Sequence, residues 1–360
     1  MPPGVVVKLR FWNGLGVNGQ LVVAGTADDP VHITDRRDAS VGDYSDAGDP
    51  GPGSWIGLTI ADGGVAEIDH LRLRYAGASS SSPASIQVNG GGLLTLRDSV
   101  IHQGSRAGVR FNGGSLAHQL ERNLIETHGS SGIELINTSG AVALIDNEVQ
   151  LVSGPGINLN NVAAPVLVQG NRVLGGSGHG MLISNSGLPL PDEGEAPVIE
   201  LIGNRIRAQA QDGMHIINSR VRIERNQLAE NQGAGIRLSG ESTSPDLFSN
   251  WVSGNAGGGI DIVDQANPLV GGTRENGNDI VGNAPFGLRS QNTQVTVLAR
   301  CNWWGHPSGP SQDPENPDGQ GDVILGPGSV DASPYLVESA IDALFLDRFE
   351  AQLLAQGDGC

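Results

Sequence analysis

Three side chains able to do chemistry stand at nearly regular intervals: His215, Arg237 and Asp261, 22 and 24 residues apart. A fold that stacked them would gather a base candidate, a cation and a carboxylate within one sugar unit. His215 or Arg237 could then abstract the proton alpha to a uronate carboxylate, with neighbouring arginines or calcium stabilising the developing charge. His179, in "GSGHGMLI", and Asp212 each precede a glycine, and Asp212 could orient His179 or join a metal shell. Hydrolysis fits less well. It needs two carboxyls about 5 to 9.5 Å apart, and Asp212 and Asp261 are offset by two repeats. The sequence has no Cys/His zinc cluster and no Ser-His-Asp signature.

What must position these residues is a repeat. A glycine followed by an aliphatic residue recurs at Gly108, Gly132, Gly156, Gly180, Gly213, Gly235, Gly259 and Gly287, in steps of 24, 24, 24, 33, 22, 24 and 28. Asparagine runs in phase at 123, 147, 171, 204, 226, 250, 278 and 302, with Asp69 and Asp98 in the corresponding place upstream. Between the markers lie short alternating runs such as "VRIER" and "VALID", which read as strands. Three short strands per repeat and no helical spacing predict an all-β, single-domain, right-handed parallel β-helix with coils of about 24 residues. Asn suits the recurring bend because it tolerates the left-handed region and its side chains can bond along a ladder. Gly suits the other corner.

Alternation turns the middle residue of each Gly-aliphatic-x-aliphatic strand outward. In coil order these are Arg110, Glu134, Asn158, Leu182, His215, Arg237, Asp261 and Arg289. His215, Arg237, Asp261, Asp212 and His179 are the candidate catalytic residues, and Glu134, Arg110, Arg289 and Asn158 the candidate substrate-binding ones. The bland alternative is a solvated face whose charges alternate between coils, with Asp261 in ordinary cross-strand pairs with Arg237 and Arg289. The Gly-His-Gly triplet around His179 resembles that of polygalacturonase-type glycosidases. Their paired Asp-Asp and their Arg-x-Lys are absent, so the triplet reads as a repeat corner whose variable residue is His.

Composition limits the partners. With 39 Asp and Glu against 21 Lys and Arg, the net charge of −18 excludes nucleic acid as the expected ligand. No apolar run is long enough to span a membrane, and the N-terminus lacks a signal-peptide pattern. Asp35, Asp38, Asp43, Asp46 and Asp49 crowd one Gly-rich loop, where hard oxygen ligands would suit Ca²⁺. Asp38, Asp43, Asp46 and Asp49 are the candidate metal ligands, and an acidic surface loop is the alternative. Open ends of a solenoid need covering. "GVVVKL" and "QLVVAG", with Trp12, are expected to close the first end. At the other, Ser339–Ala355 carries apolar residues at helical spacing, so residues 337–360 are read as a capping helix or tail after a β-helix over 1–336. Cys301 and Cys360 allow one bridge. The 33-residue step holds a Pro-rich acidic insertion, Gly187 to Pro197, placed to wall the candidate groove.

The segment "CNWWGHPSGPSQDPENPDGQGDVILGPGSVDASPYL", Cys301 to Leu336, resembles the closing segment of secreted bacterial β-helix repeat proteins of the pectate-lyase-like superfamily. It carries Asn302 to Gly305, Ser308 to Pro310, Gly321-Asp322, and Asp331 to Pro334 before Tyr335. "LFLDRFE" is similar to a C-terminal tag of exported proteobacterial proteins. The resemblance implies a secreted, periplasmic or cell-surface location and no single activity. The expected function is a carbohydrate-associated binding or structural role, as a monomer, with a polysaccharide or cell-surface glycan as partner. The alternative is a polysaccharide lyase or related uronate-acting enzyme using the outward groove.

Overall fold

The computed structural model describes residues 1–78, 80, 83–188, 199–312 and 314–341. Most of the insertion at 187–197, most of the expected capping helix and Cys360 lie outside them. The chain is an all-β parallel solenoid, and no helix occurs among the described residues. It divides into two compact units, Met1–Gly178 with Ser186–Pro197, and His179–Asn185 with Val198–Cys360.

Each unit is built from three parallel sheets, one strand per coil in each. In the first unit, Val109 and Phe111 pair with Ile133 and Leu135, which pair in turn with Ile157 and Leu159. In the second, Met214, Ile236, Ile260 and Leu288 stack in register, and Ile216, Leu238 and Ile262 form a parallel row beside them. All of these side chains are buried. Each contributes about 1.5–3 kcal/mol of transfer free energy, and repetition of the same apolar positions fixes the register.

The asparagine ladder forms within each unit. Asn123 Nδ2 donates to Asn147 Oδ1 at 2.9 Å, and Asn147 to Asn171 at 3.0 Å. In the second unit Asn204, Asn226, Asn250, Asn278 and Asn302 are linked the same way, at 2.9 to 3.1 Å. The left-handed residue is not the asparagine, however, but the one before it: Arg122, Asp146, Arg225 and Ser249 have φ of 53 to 55°. Asparagine serves through its amide, which also donates to a backbone carbonyl, as Asn226 does to Leu201 at 2.7 Å. Upstream the register differs by one from expectation. Ser99 occupies the ladder place above Asn123, donating its N–H to Asn123 Oδ1 at 3.0 Å, and Asp98 is the left-handed residue with φ 50°.

A second ladder, not read from the sequence, joins Asn231, Asn255 and Asn283 through amides 2.8 and 2.9 Å apart. It lies beside the marker glycines Gly213, Gly235 and Gly259. A Cβ on Gly213 would lie 2.6 Å from the Gly235 carbonyl and 2.9 Å from Asn231 Nδ2, so close approach rather than a turn requires glycine there. Asp322, from the closing segment, ends this ladder by accepting the Asn283 N–H at 2.9 Å and its Nδ2 at 3.1 Å.

Of the end-closing residues, Trp304 is fully buried, as its inward position requires, whereas Trp12 is 60% exposed. Leu336 is buried. Beyond it, Ser339–Ile341 are not helical, and Ser339 and Ala340 bind the carboxylate of Asp279 instead.

Candidate functional site

Five strands of one sheet in the second unit carry the candidate residues: Met181–Ser184, Met214–Ile217, Ile236–Ser239, Ile260–Val263 and Leu288–Ser290. Their outward positions fall in the expected order. Leu182 pairs with His215, His215 with Arg237, Arg237 with Asp261 and Asp261 with Arg289. His179 and Asp212 stand at the corner, each three residues before the outward position of its strand.

Outward does not mean exposed here. Asp261 has no accessible surface. Arg289 covers it from one side, donating from Nε at 2.8 Å and Nη2 at 2.7 Å, and Arg237 Nη2 lies 3.2 Å away on the other. Such a carboxylate is shielded rather than free to act as a base. The arginines remain about one-third exposed, and Arg289 also lies over the Phe286 ring at 4.7 Å. Their Nη1 groups are uncommitted among the described residues.

Asp212 is the hub of the corner. Its Oδ1 accepts the Ala234 N–H at 2.8 Å. Its Oδ2 lies 3.3 Å from His179 Nδ1, 3.9 Å from His215 Nδ1 and 3.6 Å from Arg237 Nε. Burial pushes this carboxyl up, but the His179 contact, the Ala234 N–H and Arg237 together hold it below the usual carboxylate range. Burial, and then the neighbouring His179, pull His215 down to about 4, so its imidazole is neutral at pH 7. The two rings meet edge-on, with centroids 5.0 Å apart. Ser239 Oγ, 3.1 Å from His215 Nε2, was not among the expected site residues. It is the diagonal neighbour of His215 on the adjoining strand, a relationship visible only once the register is known.

In the first unit Arg110, Glu134 and Asn158 stack in the expected register. Arg110 Nη1 donates to Glu134 Oε2 at 2.9 Å, and Glu134 is buried. These three form an ion pair and an amide on a polar row.

The acidic loop does not gather its carboxylates. Asp35 takes Arg37 Nε at 2.7 Å, and Asp46 takes Arg36 Nη2 at 3.0 Å. Asp38 is buried on Thr34 Oγ1 at 2.8 Å and the Ser40 N–H at 3.0 Å, with Arg74 3.6 Å away. Asp43 and Asp49 are exposed. Among the described residues the group of His, Cys, Asp and Glu that does converge is His179, Asp212 and His215.

A family model described as "Right handed beta helix region" matches residues 53–190 and 195–284. The chain belongs to the right-handed β-helix family. No curated protein sequence matches it. Among solved structures it is similar to the A-module of a mannuronan C-5 epimerase from Azotobacter vinelandii, at 12% identity and TM-score 0.46, over 91% of this chain and 90% of that one. A Dettilon tailspike protein matches at 13% identity and TM-score 0.43, over 89% of this chain and 62% of that one. Pectate lyase Pel9A matches at 12% identity and TM-score 0.29, over 94% and 71%. No described helix is long and apolar enough to cross a membrane.

Proposed function

We propose that this β-helix protein binds a carboxylate-bearing polysaccharide along the sheet that carries His215, Arg237, Asp261 and Arg289, in a noncatalytic role outside the cell or at its surface. One observation carries the reading. Arg237 and Arg289 flank a fully buried Asp261 in successive coils, so a fixed acid holds two partly exposed guanidinium groups in place. Coils about 4.8 Å apart offer polar groups at roughly the spacing of successive sugars. Guanidinium is suited to carboxylate because its planar donors match the two oxygens. The net charge of −18 opposes a polyanion at long range, but charges beyond about 8 Å are screened at physiological salt, so the local pair governs contact.

The test is binding of polyuronates and of neutral glycans, measured by calorimetry at two salt concentrations. Binding of polyuronates that weakens with salt and falls at least tenfold in Arg237→Ala and Arg289→Ala supports the proposal. Equal binding of neutral chains, no binding of polyuronates by wild type, or binding unchanged in both variants overturns it.

A second reading, a lyase or related uronate-acting enzyme, is favoured by the neutral, half-shielded imidazole of His215 beside the Asp212 carboxylate. A neutral imidazole can accept a proton. Formation of unsaturated product from a polyuronate, lost in His215→Ala, would establish it.

A further inference from the structure

We propose that His179, Asp212 and His215 form a site for a divalent first-row transition metal, with Zn²⁺ the reference ion, at the corner beside the outward strip. The inference is independent of glycan binding, since it rests on side chains other than Arg237 and Arg289.

The donor atoms of the three residues lie within 4.8 Å of one another. Asp212 Oδ2 lies 3.3 Å from His179 Nδ1 and 3.9 Å from His215 Nδ1. Zinc–ligand bonds of about 2.0–2.1 Å in a tetrahedron put neighbouring donors roughly 3.3 Å apart, so a small contraction closes the set. Coils stacked in register make that contraction a side-chain movement.

Two of the three ligands are oriented by a second contact, as metal ligands characteristically are. Ser239 Oγ sits 3.1 Å from His215 Nε2. With Nε2–H donating to that hydroxyl, Nδ1 presents a lone pair, and Nδ1 is a buried atom with no hydrogen-bond partner. The Ala234 N–H holds Asp212 Oδ1 at 2.8 Å, leaving Oδ2 turned to the two imidazoles. The Asp212 N–H, 3.2 Å from His179 Nδ1, marks that nitrogen as an acceptor. A cation here would meet the Asp212 carboxylate and both imidazoles, and it would take the place of that backbone contact at His179.

Two imidazoles and one carboxylate select against Ca²⁺ and Mg²⁺, which take oxygen, and favour zinc and its neighbours. Three protein ligands leave a position open to water or to a ligand oxygen. Arg237 Nε, 3.6 Å from Asp212 Oδ2, is the opposing charge. Its guanidinium is anchored on Asp261, which limits how near it can approach a bound ion.

The test uses full-length protein stripped with chelator and titrated with Zn²⁺ by calorimetry, and with Co²⁺ by visible absorption. Expected are one equivalent bound per chain, a Co²⁺ spectrum with the intensity of a four-coordinate site, and a rise in melting temperature with Zn²⁺. His179→Ala and His215→Ala should each lower affinity at least tenfold. Arg237→Ala should raise it, an effect that loss of folding cannot imitate. Absence of stoichiometric binding in wild type overturns the proposal. So does binding unchanged in both histidine variants, and circular dichroism on each variant secures the comparison. If one variant fails to fold, the other and Arg237→Ala still decide.

Discussion

Asp261 and Arg289 form a two-point ion pair in which the acid has no exposed surface and the base is about one-third exposed. Because the burial is unequal, the two partners should not be equally expendable. Asp261→Asn removes the buried charge and leaves two arginines that can reach water, so it should cost about 1–2 kcal/mol. Arg289→Ala leaves a buried carboxylate with only Arg237, 3.2 Å away, and should cost about 3 kcal/mol or more. Urea unfolding of the two variants checks the order. A larger loss for Asp261→Asn would mean that the pair is stabilising through its hydrogen bonds and not merely compensating a buried charge.

The same pair illustrates what the sequence makes legible. Parallel stacking repeats one coil's pattern in the next, so the spacing of Gly and Asn placed His215, Arg237, Asp261 and Arg289 opposite one another before any coordinates. Alternation also turned them to the outer face. It could not give exposure, because Asp261 is covered by long side chains from neighbouring coils, and their conformations are not encoded in a period of two. Residue type likewise misled at Asp98. Matching acid to amide put it in the ladder, whereas strand pairing puts Ser99 there. The Ser239–His215 contact runs diagonally between strands and has no sequence signal of its own.

The asparagine ladder should be cooperative. Asn226 Oδ1 accepts from both the N–H and the amide of Asn204, while its own amide reaches Asn250 and the Leu201 carbonyl. Asn226→Ala strands buried groups on both sides, each worth about 1–3 kcal/mol when left unsatisfied. The expected loss is therefore about 3–5 kcal/mol, with hydrogen-exchange protection falling first in the coils that hold Asn204 and Asn250. Unchanged exchange at both would mean that the apolar stack alone sets local stability.

The acidic loop should be indifferent to calcium. Asp35, Asp38 and Asp46 already face arginines or hydroxyls of the protein. A site saturated a hundredfold would add about 2.7 kcal/mol of stability, enough to shift a melting curve visibly. The expected outcome is the same melting temperature in EDTA and in millimolar Ca²⁺. A rise that disappears in Asp38→Asn and Asp46→Asn would place an ion in the loop.

The last expectation concerns acid. Burial is the main cause holding His102, His118, His128 and His215 down at about 4. Unfolded histidines protonate near pH 6.5. Between about pH 6.5 and 4 the unfolded chain therefore binds more protons at these four sites than the folded one, and stability must fall as pH falls. Asp279 works in the opposite direction. Burial raises its carboxyl to about 6, so the folded state holds a proton that the unfolded chain releases, and this one site gains stability as pH falls from about 6 to 4. Four sites outweigh one, and urea midpoints measured from pH 8 to 4.5 should decline below about pH 6.5. In Asp279→Asn the amide can keep its contacts with Ser339 and Ala340 while the titration disappears. That variant should be more stable than wild type at pH 7 and should lose stability more steeply in acid, whereas parallel profiles would show that Asp279 does not carry the opposing contribution.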